Sequence, residues 1–321
     1  MPVPDEYLLY PNRRYGGDHD RYPWRPSADR PPVAWPGGAA VACMIVVPLE
    51  FHMLNPQGKP FKHPGAMVTP YPDLRHYTTR DYGNRVGVFR ILRELKAAGF
   101  KATVPINAAL LSRARPLVDA VLEDGHEIAA YGIDTDHIHW SGLAEGVERE
   151  WVRATRRAFD EAGLKPRAWM SPARQQSFET LDLIAEAGFD VCLDWEQDTV
   201  PVPMKTATGA VAAVPLSNEL DDRLLLNDRR QTEAEWIEQI LEAARLTKDE
   251  AGRYGGQILS FSLTPYIAGQ PFRTWALRRI LSALAADAQV WPATASQISD
   301  ASGATGGSVV GTAAQPAPCV A

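Results

Sequence analysis

Cysteine is scarce, with only Cys43, Cys192 and Cys319 in 321 residues. Two sit inside apolar runs and the third in a tail of small residues, so no disulfide framework and no cysteine metal spacing is visible. Long apolar runs are missing as well. None approaches the ~20 residues that a membrane helix requires. The opening MPVPDEYLLY lacks the basic and apolar regions of a signal peptide, and a cytoplasmic address is the expectation. Positive charge is not in excess either: 33 Lys and Arg stand against 39 Asp and Glu, for a net charge of −6. That balance argues against a nucleic-acid partner, which leaves a basic stripe. It also offers no polybasic patch to an anionic membrane.

What is present is an ordinary globular composition, 45% hydrophobic and 22% charged, on a chain long enough for an α/β barrel in one unit. Residues 40–49 form a near-continuous apolar run of strand length, suited to a strand buried on both faces. Further apolar stretches follow at KATVPIN, HEIAAYG, RAWMSP, VCLDW, VAAVPL, QILSFSL and QVWPA. Between them lie amphipathic segments over 83–99, 110–122, 143–162, 178–187, 233–251 and 275–286, several closed by glycine. This alternation predicts a distorted (β/α) barrel of about seven parallel strands. Residues 1–39 read as an irregular arm, 40–301 as the barrel and 302–321 as a disordered tail. The Pro-rich stretch 51–81 reads as a covering loop.

In a parallel barrel, chemistry gathers where strands end. Glu50 and His52 follow the first strand, Asn107 the second, and Tyr131, Asp134, Asp136, His137 and His139 the third. Ser171 and Arg174 follow the fourth, Asp194 and Glu196 the fifth, Asn218 and Glu219 the sixth, and Thr264 and Tyr266 the seventh.

Six stretches at these ends resemble the polysaccharide-deacetylase superfamily (the NodB homology domain, similar to carbohydrate esterase family four), in its allantoinase-like and cyclic-imide-hydrolase-like branch. They are WPGGAAVACMIVVPLE, RDYGNRVGVFRILRELKAAG, HEIAAYG with GLKPRAWMSP, DWEQDTVPVPM, and FSLTPYIAGQP, in family order over roughly residues 30–300. The resemblance implies a barrel one strand short of eight. It also implies, in metal-dependent members, two adjacent carboxylates after the first strand, a histidine pair four apart, and a histidine before Pro-Tyr. Here those places hold Glu50 and Phe51, Tyr131 and Thr135, and Thr264. The base position is kept while the ligand and acid positions are altered.

Two readings of the site stand side by side. A zinc ion could be rebuilt from Glu50, Asp134, Asp136, His137 and His139; DTDHIH equally reads as a solvated polar loop. Alternatively no cofactor is needed. Glu50, partly desolvated by Phe51, Met53 and Trp140, would have its pKa raised toward neutrality and act as general base. Its bland alternative is an ion pair at a strand end. His137, Arg174 and Arg85 are the candidates to stabilise an oxyanion, Arg85 because it stands in the first turn of a helix where a cation is misplaced. Asp81 or Asn84 would cap that helix. The segment from Asn218 to Asp222 reads equally as site or as solvated charge. Arg85, Tyr131, Trp140, Trp195, Glu219 and Tyr266 are the candidate substrate-binding residues, and aromatic lining suits a small, flat organic molecule.

The functional expectation is therefore a hydrolase of an amide, cyclic imide or ureide C–N bond in a small substrate. The alternatives are a metal-independent lyase or isomerase, a deacetylase acting on an N-acetylated sugar, and a non-catalytic binding homologue. Oligomeric state is open between a single chain and a homo-oligomer.

Overall fold

The computed structural model describes residues 19–57 and 74–304. The expected disordered tail falls outside them from 305 on, as does the middle of the Pro-rich loop. Among the described residues nine strands are present: β1 (Val41–Val46), β2 (Thr103–Ile106), β3 (Glu127–Ala130), β4 (Ala168–Trp169), β5 (Val191–Cys192), β6 (Val202–Thr206), β7 (Gly209–Ala213), β8 (Gln257–Ser262) and β9 (Val290–Pro292). They form one sheet in the order β6-β7-β5-β4-β3-β2-β1-β8, with β9 pairing β1 beside this path. Every pairing is parallel except the β6–β7 hairpin. The sheet curls into a half-barrel whose two ends, β6 and β8, are not paired with each other.

The strand read as VAAVPL is β7; β6, which precedes it, escapes the period-two pattern because Pro201 and Pro203 interrupt it. Its place at the sheet edge is what makes those prolines tolerable.

Side chains of β1 alternate between two cores. Val41, Cys43, Ile45, Val47 and Leu49 face the helices. Ala42, Met44 and Val46 face an inner cluster with Tyr131, Met170, Leu193, Leu216 and Ile258. That two-sided burial is why the run reads as continuously apolar. The inner cluster also takes in Trp35 and the helix Ala295–Ser302, through Ala295 and Ile298.

The longest difference from the sequence reading concerns the helix expected from residue 83. A helix already begins at Arg75 (α1, Arg75–Tyr82) and passes through a π-helical turn, Gly83–Gly87, into α2 (Val88–Ala98). Val88, Ile91, Leu92 and Leu95 form its buried face, while Phe89 is exposed. The first segment, RHYTTRDY, has no apolar period by which a sequence could show it. The other helices are α3 (Ala108–Arg113), α4 (Arg115–Glu123), α5 (Val147–Glu161), α6 (Thr180–Glu186), α7 (Glu233–Tyr254), α8 (Thr274–Ala286) and α9 (Ala295–Ser302). Among the described residues no helix is long and apolar enough to cross a membrane.

Candidate active site

Glu50 lies just past the end of β1, and its neighbours are set by strand order. β8 runs in register beside β1, Val46 opposite Ser262. On the other side β2 and then β3 follow, with Leu49 bridging to Ile106 and Ile106 opposite Ala130. The ends of β1, β3 and β8 therefore deliver Glu50, Tyr131 and Tyr266 to one place. The Tyr131 hydroxyl donates to Glu50 Oε1 at 3.1 Å, and His52 Nε2 lies 3.1 Å from Oε2. An ionised carboxylate only accepts, so Nε2 carries the hydrogen, and whenever the ring is neutral Nδ1 is its acceptor.

Two asparagines hold the frame. Asn107 accepts from the Phe51 amide at 2.8 Å and donates to the Tyr131 carbonyl, tying the ends of β1 and β3 together. Asn84, in the π-helical turn, donates to the Glu50 carbonyl at 2.8 Å. Close approach makes that turn dependent on glycine. A Cβ on Gly83 would lie 2.8 Å from the Tyr266 amide, and one on Gly87 would lie 2.0 Å from the Pro265 carbonyl oxygen.

The charge on Glu50 is the main electrostatic correction. Burial pushes its pKa up, as the sequence suggests, but the bond to His52 and the positive charges of His52, Arg223 and Arg80 outweigh burial and bring it down to about 2. Glu50 is thus a carboxylate at neutral pH, not a half-protonated acid. Arg80 is buried, donates to the His76 carbonyl at 2.8 Å and lies over the Tyr266 ring at 5.6 Å. Burial, reinforced by the Glu50 charge, raises the Tyr131 phenol well above its usual value and Tyr266 to about 12.

Asp222 stands behind this group. It is fully buried, accepts from the amides of Thr264 at 2.8 Å and Ala268 at 3.2 Å, and leaves Oδ1 without a partner among the described residues. Burial and the charge of Asp221 push its pKa up to about 8.

The remaining sequence candidates do not gather at Glu50. His137 Nδ1 pairs with Asp134 Oδ1 at 2.6 Å, and that bond raises its pKa. His139 turns to Glu148 at 2.9 Å, so the two histidines of DTDHIH take separate carboxylates. Arg174 has a left-handed backbone (φ 54°) and donates to Asn218 Oδ1 at 2.5 Å and the Leu216 carbonyl at 2.6 Å. Asp194 accepts instead from the Ser171 amide and from Gln176. Arg85 is exposed and ion-paired with Asp81 at 2.6 Å; because the helix begins at Arg75, it is not in a first turn, and neither Asp81 nor Asn84 is a cap. Trp140 is exposed, Trp195 donates to Gln176 at 2.9 Å, and Glu219 is an exposed partner of Arg229. Arg223, Arg80 and Asp222 are the residues that sequence reasoning missed. The signal for Arg223 and Asp222 was the DDR that ends the Asn218 segment, where charge reads equally as solvent-facing.

Donor chemistry at the family's metal positions is wrong for a divalent ion. Phe51 has no donor atom, Thr135 Oγ1 donates to the Phe51 carbonyl at 3.0 Å, and the Tyr131 hydroxyl donates to Glu50. Among the described residues no group of three or more His, Cys, Asp or Glu is arranged to hold a metal.

A curled α/β half-barrel with a carboxylate at the end of its first strand is the class these features define. The polysaccharide deacetylase family model matches residues 71–192. Solved structures share its fold. The PuuE allantoinase is 24% identical, with a TM-score of 0.77 over 88% of this chain and 98% of its own. A chain described as a polysaccharide deacetylase from Pseudomonas aeruginosa PAO1 is 23% identical, with a TM-score of 0.76 over 87% of this chain and 97% of its own. A similarly described Mycobacterium smegmatis structure is 24% identical, with a TM-score of 0.69 over 86% and 95%. No curated protein sequence gives a significant match.

Proposed function

We propose that the protein hydrolyses a C–N bond of a small amide, imide or ureide, with Glu50 and His52 acting together on the attacking water. The observation that carries this reading is the Glu50 carboxylate held between the Tyr131 hydroxyl and His52 Nε2, each at 3.1 Å. The family match and the likeness to an allantoinase structure support the reaction class. A carboxylate held at about 2 is a weak base by itself, since a general base works best with a pKa near the operating pH. The proton of water therefore goes to the imidazole that the carboxylate holds. Glu50 fixes the imidazole through Nε2 and balances the imidazolium that forms, and Nδ1 takes the proton. Collapse of the tetrahedral intermediate returns it to the leaving nitrogen. No step is assigned to a metal, because the donors at that place do not suit one. The same pair could remove a proton from carbon, so the products decide between hydrolysis and elimination.

The test is product analysis on a panel of linear amides, cyclic imides, ureides and N-acetyl sugars. Release of one carboxyl and one amino or carbamoyl group per turnover, with oxygen from labelled water in the carboxyl, is the expected result. Turnover of N-acetyl sugars alone would place the chain with the sugar deacetylases instead. No turnover of any class would leave the binding homologue.

A further inference from the structure

We infer that Arg223 is the residue that selects the substrate, by holding a planar anion with two coplanar acceptor atoms beside Glu50: a carboxylate or an ionised imide. This rests on the C–N hydrolase reading of the same site.

The backbone that carries Arg223 is fixed from both sides. Asp222 is buried and binds the amides just beyond β8. Asp221 accepts from Ser262 Oγ at 2.8 Å and from the Arg223 amide at 2.8 Å. Immediately afterwards the chain enters a second π-helical turn, Arg223–Asp228. The side chain, by contrast, is not engaged. Among the described residues the guanidinium makes no hydrogen bond, and its ion pair with Asp221 is long, at 3.9 Å. It is only part-buried, with 38% of the side chain exposed. Other arginines nearby are already engaged: Arg80 on the His76 carbonyl and Tyr266 ring, Arg174 on Asn218 and Leu216.

Arg223 and Glu50 act on each other electrostatically, and so do Arg223, Tyr131 and Tyr266. Yet the hydrogen bonds of Glu50 go to Tyr131 and His52. A rigid fork of five N–H donors is thus left unbonded among the described residues, on a backbone tied to the end of β8, the same strand end that carries Tyr266. Such a fork matches the two oxygens of a carboxylate bidentately, which an ammonium cannot do. A substrate anchored there would present its neighbouring carbonyl to the Glu50–His52 pair. The arginine would hold the substrate equally in ground and transition states, so its loss acts on KM rather than kcat.

The experiment measures binding by calorimetry to the full-length wild type, R223K and R223Q. N-carbamoylglycine is compared with its methyl ester, and succinimide with N-methylsuccinimide; the two pairs separate the carboxylate from the imide source. The wild type should bind one parent compound more tightly than its methylated partner by ~10- to 100-fold, as expected for charge-assisted bonds. R223Q should erase that preference, and R223K should recover part of it through charge alone. For any probe that is hydrolysed, KM should rise while kcat is largely kept. Equal binding of parent and methylated compounds, no binding of any of them, or a preference retained in R223Q would overturn the inference. An Arg223-dependent preference without hydrolysis of any amide would sink the hydrolase reading and leave Arg223 as the anion receptor. Hydrolysis indifferent to Arg223 would do the reverse.

Discussion

Asp222 and Glu50 give opposite answers to the same burial. Both are desolvated, which favours the neutral acid. Glu50 meets His52, Arg223 and Arg80 and falls to about 2, whereas Asp222 meets mainly the charge of Asp221 and rises to about 8. The pH dependence of stability follows with opposite signs. The raised Asp222 contributes stability that is complete below the unfolded carboxyl value of 3.8 and is lost as pH climbs to about 8. Glu50 contributes stability present above 4.5 and lost as pH falls toward about 2. Replacing Asp222 with Asn should therefore flatten the decline in stability between pH ~4 and ~8, where one group contributes at most ~1.4 kcal/mol per pH unit. Urea denaturation at a series of pH values reads this directly. An unchanged slope in D222N would mean that Asp222 is ionised in the folded protein. The sequence made Glu50 visible, as a carboxylate closing an apolar strand. It could not show the sign of the pKa shift, because the leading bond to His52, two residues on, depends on how the chain turns, and Arg80 and Arg223 come from segments 30 and 173 residues away in the chain.

At the scale of elements, two π-helical turns border the site, Gly83–Gly87 with Asn84 and Arg223–Asp228 with Arg223. Such turns concentrate at functional sites because the extra residue re-aims a side chain. No period in the sequence announces them. The glycines of RDYGNRVG were visible, but their reason is tertiary: Gly87 touches the loop after β8 so closely that a methyl group would overlap the Pro265 carbonyl oxygen. Gly87→Ala should destabilise the protein by ~1–3 kcal/mol or more, the range for an overpacked contact. The loss should show as a lower melting temperature. A fully stable G87A would mean that the α1–α2 helix can move away from Tyr266 at little cost. Elsewhere the alternation of apolar strands and glycine-stopped helices revealed most of the sheet, because parallel strands buried on both faces are hydrophobic throughout. It did not reveal β6, hidden by prolines, or α1 and α9, which have short or polar faces.

For the molecule as a whole, the curl of the sheet matters more than the strand count. It brings the ends of β1, β3 and β8 to one place, while Arg174, Trp140 and Glu219 find partners or solvent elsewhere. Strand-end position was thus enough to nominate Glu50, Tyr131 and Tyr266 together. It was too coarse to separate them from residues at the same height that turn away. Since Phe51, Tyr131 and Thr135 do not supply metal donors, dialysis against a strong chelator should leave turnover unchanged. Loss of activity restored by zinc would require a rebuilt site. The most direct test of the central claim is the rate of Glu50→Gln, which keeps the shape of the side chain and removes its charge and its hold on His52. With folding confirmed, kcat/KM should fall by ~10²–10⁴ with KM little altered, the usual worth of general-base assistance. Turnover at the wild-type rate would contradict the account and make Glu50 a structural carboxylate.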